Sequence, residues 1–294
     1  MNGNIRVFCR VRPVLAVEEK HGAATGNGVV KAVHVDEDVD GSMMVKKDAA
    51  TRQRFEYDAI FAPGIEGRST QKDVFDRVSP LVTSALDGYN VCIFAYGQTG
   101  SGKTYTMIGE DGDGGENKGV IHRTLGAMFE ESQKRLGMGE TESCEFFVEI
   151  LEVYNEMVRD LLAPPSAKGA AEGHGLDIRL DPENPSEVIV VGLSMEPVES
   201  IDDVEKLLKQ ANKNRAVGGH NMNERSSRSH LVMSISMEAK VRRKASGKSK
   251  KKGSTSLVTV TSKMNLIDLA GSERLSKTGA SGQQLKEAQS INKS

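Results

Sequence analysis

Eight consecutive residues carry the first chemical signal. Gly97-Gln98-Thr99-Gly100-Ser101-Gly102-Lys103-Thr104 fits G-x-x-x-x-G-K-[ST] at every fixed position. Glycines at this spacing let the backbone curl so that several N–H groups converge on phosphate oxygens. Lys103 adds a point charge for the outer phosphates, and Thr104 offers its hydroxyl to Mg²⁺. A helix opening at Gly102 would turn its positive end to the same place. The chemistry implied is capture of a nucleoside triphosphate with Mg²⁺. Hydrolysis asks for more: a group that positions water and an element that senses the γ-phosphate. Lys263-Met264-Asn265-Leu266-Ile267-Asp268 is an apolar strand pattern ending in a carboxylate, the Walker-B arrangement in which Asp268 reaches the metal directly or through water. Gly271, three residues on, is placed to offer a backbone N–H to the γ-phosphate. Asn223-Glu224-Arg225-Ser226-Ser227-Arg228-Ser229-His230 gathers hydroxyls, an amide and two guanidiniums. Ser227 can complete the Mg²⁺ coordination. Arg228 can pair with Glu273 as a latch that closes when the γ-phosphate draws both loops in.

These groups need elements to hold them. Val91-Cys92-Ile93-Phe94-Ala95-Tyr96, just before the glycine-rich loop, is nearly continuous apolar sequence and predicts a strand buried on both faces. Ile5–Arg10 alternates and predicts a strand; residues 16–54 read as an irregular hairpin region. Ser69 or Thr70 can cap a helix carrying Val74, Val78, Leu81, Val82 and Leu86 on one face, with Gly88 as its C-terminal stop. Further strands are predicted at 145–154, 231–241 and 263–269, and a helix at 201–216. Strands alternating with helices predict an α/β fold with a central, mostly parallel sheet flanked by helices on both faces. Residues 110–119 and 242–252 read as surface insertions. The second holds seven basic residues in eleven: Arg242, Arg243, Lys244, Lys248, Lys250, Lys251 and Lys252. It is either a solvated loop between strands or a site for an acidic partner.

Composition sets outer limits. The chain of 294 residues balances 39 Lys+Arg against 41 Asp+Glu for a formal charge of -2, which argues against a generic nucleic-acid binder. No apolar run approaches the roughly 18 residues of a membrane span, and arginines interrupt the N-terminal stretch where a secretory signal would lie. Cys9, Cys92 and Cys144 are too scattered for a disulfide framework or zinc cluster, which fits a reducing, cytoplasmic setting.

In combination the motifs resemble the kinesin motor domain. The P-loop continues as Tyr105-Thr106-Met107. Asn223–His230 is similar to that family's switch I, and Asp268-Leu269-Ala270-Gly271-Ser272-Glu273 to its switch II. Arg10-Val11-Arg12-Pro13 resembles the adenine-pocket motif, and Glu152-Val153-Tyr154-Asn155-Glu156 a strand-end signature. Lys277 to Ser294 resembles the loop and helix after switch II. The order is the family's, and the opening Gly3–Arg10 resembles the neck junction of its C-terminal-motor, minus-end-directed class. The resemblance implies a P-loop NTPase fold over residues 1–294, an ATP/ADP and Mg²⁺ site, microtubule-stimulated ATPase activity, and a place on the microtubule cytoskeleton, the spindle included. It implies that Arg10, Arg12, Pro13 and Tyr105 serve the adenine side and that Gln98 to Lys103 hold phosphate. Thr104 and Ser227, with Asp268, serve the metal. Asn223, Ser226, Arg228, Gly271 and Glu273 serve γ-phosphate sensing and hydrolysis. Lys277, Lys286 and Lys293 are the implied microtubule contacts. No nucleic-acid or membrane partner is expected, and dimerisation would run through a neck coiled coil outside the chain. The helical pattern from Gln283 has no stop signal, and the resemblance implies roughly 50 further residues, a supersecondary unit's worth. Two alternatives stay open: a nucleotide-dependent microtubule-binding module without motility, or another P-loop NTPase. A small GTPase would need an Asn-Lys-x-Asp motif, and Asn117-Lys118 and Asn212-Lys213 lack its Asp.

Overall fold

The computed structural model describes residues 5–24, 32–36, 38–46, 51–110, 115–164, 175–182, 184–185, 187–217, 227–244 and 255–273. The chain divides into two compact units: Met1–Arg77 with Asp113–Asn117, and Val78–Gly112 with Lys118–Ser294. In the first, β1 (Phe8–Arg10) pairs parallel with β5 (Ala59–Phe61). Helix α1 (Ala16–Ala24) occupies part of the stretch expected to be irregular, and β2 (Val33–Val35), β3 (Ser42–Lys46) and β4 (Arg52–Glu56) form an antiparallel sheet. Ala59, Ile60 and Phe61 are its most buried run, and Phe8 meets Phe61 edge-to-face at 6.2 Å.

The helix expected from Ser69 to Gly88 is two helices, α2 (Gln71–Val78) and α3 (Pro80–Leu86). Pro80 has no N–H to continue the first helix, and it suits the first position of the second, with Ser79 itself keeping helical geometry. Thr70 is the cap: its hydroxyl accepts from Asp73 N–H at 3.1 Å, while Asp73 Oδ2 accepts from Thr70 N–H at 2.8 Å.

The second unit is built on a six-stranded sheet. The remaining elements are β6 (Val91–Ala95), α4 (Lys103–Met107), α5 (Val120–Gly137), β7 (Thr141–Tyr154), β8 (Met157–Asp160), β9 (Ile178–Leu180), β10 (Val188–Val190), β11 (Glu196–Val198), α6 (Ile201–Val217), β12 (Ser229–Lys244) and β13 (Thr255–Asp268). The sheet order is β11-β7-β12-β13-β6, with β8 on β7. The expectation of a mostly parallel sheet is corrected: the sheet is mixed, and only β13–β6 is parallel. The reason is where the chain re-enters. Ser229 opens β12 opposite Tyr154, the last residue of β7, so β12 runs back antiparallel.

One row of side chains runs across the sheet through Val148, Ile235, Met264 and Val91. With Ile150, Met233 and Leu266 it makes the core face, where most positions are fully buried. All four helices of this unit pack on that face. Phe129 of α5 stacks edge-to-face on Phe146 at 5.1 Å, Arg215 of α6 reaches Glu152, Thr104 of α4 reaches Asp268, and Leu86 of α3 shares a cleft with Val260. Among the described residues the helices of this unit form one layer, and the helix expected from Gln283 onward lies outside them. The opposite face carries Glu149, bonded to Lys263 at 2.5 Å, and exposed Phe94. The basic stretch also differs from expectation. Arg242, Arg243 and Lys244 continue β12 in register with Leu257, Ser256 and Thr255, and the rest of 245–252 lies outside the described residues.

Candidate active site

Strand β6 delivers the glycine-rich loop, which turns through residues 97–102 into α4. Gly102 caps that helix at φ 95°, a left-handed conformation that L side chains rarely adopt. Helix α4 is only five residues long, so loop N–H groups and Lys103 supply the positive potential more than a long helix dipole could. Lys103 Nζ lies across the loop, donating to the carbonyls of Gly97 at 2.9 Å and Gln98 at 3.0 Å. Burial lowers its pKa, against the pull of Asp268 and Glu273.

Parallel to β6, β13 ends on Asp268, beside Ala95. The carboxylate is buried. Its Oδ2 accepts from Thr104 Oγ1 at 2.6 Å, while its Oδ1 has no hydrogen-bond partner. Burial pushes the Asp268 carboxyl above its ordinary value, although Thr104, Arg215 and Lys103 favour the charged form.

The residues after Asp268 tie three segments together. Ala270 N–H donates to His230 Nδ1 at 3.0 Å, Gly271 N–H to the Ser227 carbonyl at 2.8 Å, and Ser272 N–H to the Gly97 carbonyl at 3.1 Å. Burial lowers the His230 pKa, in keeping with an Nδ1 that accepts. Glu273 takes two bonds from Thr99, from N–H at 2.9 Å and from Oγ1 at 2.5 Å. Partial burial would raise the Glu273 carboxyl, but the Thr99 bonds outweigh it and hold the group below the usual carboxylate range. A Cβ at residue 271 would overlap both the Thr99 hydroxyl and the Glu273 carboxylate, so any larger residue there must push the Thr99–Glu273 contact aside.

The site rests on a buried ion pair. Glu152 on β7 is completely buried and accepts from Arg215 Nε at 3.1 Å; Arg159 approaches its other oxygen at 3.7 Å. Arg215, near the end of α6, also donates to Ser229 Oγ at 2.8 Å. The pair thus fixes both chain ends that flank residues 218–228.

The family model described as the kinesin motor domain matches residues 10–294. The chain belongs to the kinesin motor domain family. A rice kinesin-like protein, KIN-14E from Oryza sativa subsp. japonica, is 42% identical over 293 residues, covering 99% of this chain and 24% of that protein. Kinesin-like protein KIFC1 of Cricetulus griseus is 41% identical over all of this chain and 46% of its own length. The chain thus spans about a quarter to a half of the relatives it matches. A KIF14 dimer, solved in a two-heads-bound state with AMP-PNP in complex with a microtubule, superposes at a TM-score of 0.79 with 35% identity, covering all of this chain and 75% of that one.

Within this kinesin fold, Thr99, Lys103, Thr104, Ser227, Asp268, Gly271 and Glu273 lie together around the ends of β6 and β13. The expected Arg228–Glu273 pair is not made in this conformation: among the described residues Glu273 is held by Thr99, whose hydroxyl and N–H offer the nearer donors. Arg10, Arg12 and Pro13 lie in the first unit. There Arg10 donates to Gln71 at 2.7 Å, and Arg12 is paired with Glu18, whose carboxyl it pulls down to about 2. Asn223, Ser226, Lys277, Lys286 and Lys293 lie outside the described residues. Sequence reading named Glu152 only within the strand-end signature, and missed its pairing with Arg215 and the Thr99–Glu273 contact. Two carboxylates inside the apolar run Val148-Glu149-Ile150-Leu151-Glu152-Val153 were the available signal, because a buried charge requires a partner.

Proposed function

We propose that this chain is the ATP-hydrolysing part of a microtubule motor, in which γ-phosphate sensing by two loops sets affinity for the track. The observation that carries the reading is the meeting of three segments, distant in sequence, at residues 268–271: the glycine-rich loop bonds Asp268 through Thr104, and the 227–230 stretch bonds Ala270 through His230 and Gly271 through Ser227. Phosphoryl transfer needs little covalent chemistry from side chains, so a device that positions groups around one phosphate suffices.

The residues fit Mg²⁺. A buried, unpartnered Asp268 oxygen beside the Thr104 hydroxyl is an oxygen-donor set suited to a hard cation that keeps several waters. Thr104 and Ser227 would hold the ion, with Asp268 behind them. When bound, it neutralises charge on the β- and γ-phosphates. The chain's own part is a set of exchanges. Lys103 trades the Gly97 and Gln98 carbonyls for phosphate oxygens. Gly271 N–H turns from the Ser227 carbonyl to the γ-phosphate, and Glu273 leaves Thr99 for Arg228, which places the attacking water. Gln98, Gly100, Ser101 and Gly102 contribute the backbone cradle, and Tyr105, Arg10, Arg12 and Pro13 the family's base-side contacts. Asn223 and Ser226 line the γ-phosphate side, and Lys277, Lys286 and Lys293 meet an acidic filament. The cytoplasmic microtubule array is the setting this implies.

The test is ATP turnover with and without polymerised tubulin. Stimulation by microtubules, abolished in Lys103→Ala and reduced by at least about a hundredfold in Gly271→Ala, is the expected result. Tight track binding with no turnover would leave the non-motile module instead, and turnover indifferent to microtubules would leave another P-loop NTPase.

A further inference from the structure

The hairpin end of the sheet has features that the nucleotide site does not use. Strand β6 pairs with β13 only from Met264 to Asp268, and Lys263 N–H is taken by the Asn90 side chain at 2.8 Å. Residues 256–259 of β13 therefore have β12 on one side and, among the described residues, no strand on the other. Ser256-Leu257-Val258-Thr259 is exposed throughout, with Leu257 48% and Val258 36% exposed. Free edges of this kind template another strand unless something blunts them.

Cations flank that edge on both faces. Arg243, paired in register with Ser256, lies on the core face; Lys240, paired with Thr259, lies on the opposite one. Both are exposed, and neither makes an ion pair among the described residues. Their neighbours are already neutralised: Arg242 meets Glu142 at 3.4 Å, and Arg135 meets Asp87 at 2.8 Å. On the core face the edge borders a cleft of about 270 Å³ between Leu86, Tyr89, Arg135, Val241, Arg243 and Val260, with Tyr89 60% exposed at its rim. The sequence from Arg242 to Lys252 adds further positive charge.

We infer that the outer edge of β13 at Ser256–Thr259 captures an extended acidic segment of a partner protein by strand addition, with Arg243 and Lys240 reading its carboxylates and the Tyr89 cleft taking an apolar side chain. A polypeptide is favoured over a phosphate polyanion because the surface offers a row of main-chain donors and acceptors as well as charge. An added strand would sit roughly 10 Å from β12, two strand spacings, which Arg or Lys and Glu side chains span between them. The site lies nine to twelve residue steps along β13 from Asp268, roughly 30–40 Å, so its occupancy can be changed without touching the nucleotide groups.

Fluorescence anisotropy with a labelled peptide of alternating Glu and Val tests this on the whole chain. The expected result is saturable binding, weakened by about tenfold or more in an Arg243→Glu, Lys240→Glu double variant whose basal ATP turnover is unchanged. The same peptide methylated at alternate backbone nitrogens keeps its charge but cannot form the ladder; on the unaltered protein it is expected to lose binding to a similar degree. That arm stands even if the double variant misfolds. Binding that survives N-methylation, or that oligo-dT or phosphatidylserine vesicles match, overturns strand addition in favour of a bare electrostatic patch. Absence of peptide binding overturns it too, and leaves the basic residues as edge protection against aggregation.

Discussion

At the scale of single residues, the site is a set of oxygen and nitrogen atoms already bonded to one another, each bond being one that the proposed cycle would exchange. Thr99 and Glu273 give the clearest handle. A carboxyl with a depressed folded-state pKa contributes stability that is present above its ordinary value of 4.5 and is lost as pH falls through its folded value. Thr99→Val removes the hydroxyl donor and leaves burial, which acts the other way. The difference in urea midpoint between wild type and this variant is expected to be greatest near neutral pH and to close as acid protonates Glu273. A difference that stays constant down to pH well below 4.5 would show that Thr99 acts through packing alone. Lys103, Thr104 and Asp268 were legible from type and spacing. The Thr99 contact was not, since nothing local in sequence says which of two loops holds a carboxylate 174 positions away.

At the scale of elements, the buried Glu152–Arg215–Ser229 cluster joins β7, α6 and β12. Removing one member strands a charge in the core. Arg215→Ala is therefore expected to cost about 3–5 kcal/mol in urea unfolding, whereas a Glu152→Leu, Arg215→Met double variant should recover much of it by apolar packing. Its ATP turnover tells the two roles apart: a stable but slow double variant assigns the cluster to holding residues 218–228, and full turnover assigns it to stability alone. The strands carrying the site were readable because apolar runs such as Val91–Ala95 have few alternatives. Their direction was not. A helix between two strands usually signals a parallel crossover, and α6 does join two parallel strands, β11 and β12, but β7 lies between them and runs antiparallel to both. The split of α2 from α3 follows from Pro80 alone. The extension of β12 through Arg242–Lys244 is a tertiary effect, in which pairing with β13 overrides a composition that by itself suggests a loop.

At the scale of the whole molecule, the charge of -2 is an average over unlike regions. Among the described residues, Arg243 and Lys240 sit at the hairpin end of the sheet without an ion pair, while the other end holds the carboxylates Asp268 and Glu273 among donors. Composition could bound the class of the protein, but only the topology separates those ends. Strand β13 connects them with unequal support: two flanking strands at Met264–Asp268, one at Ser256–Thr259. Amide hydrogen exchange followed by mass spectrometry should therefore be graded along this one strand, with peptides over Met264–Ile267 exchanging at least about tenfold more slowly than those over Ser256–Thr259. Uniform protection would contradict the pairing. With such a gradient, thermal opening starts at the hairpin end and travels inward, so the Asp268 carboxylate rides on the last part of its strand to let go.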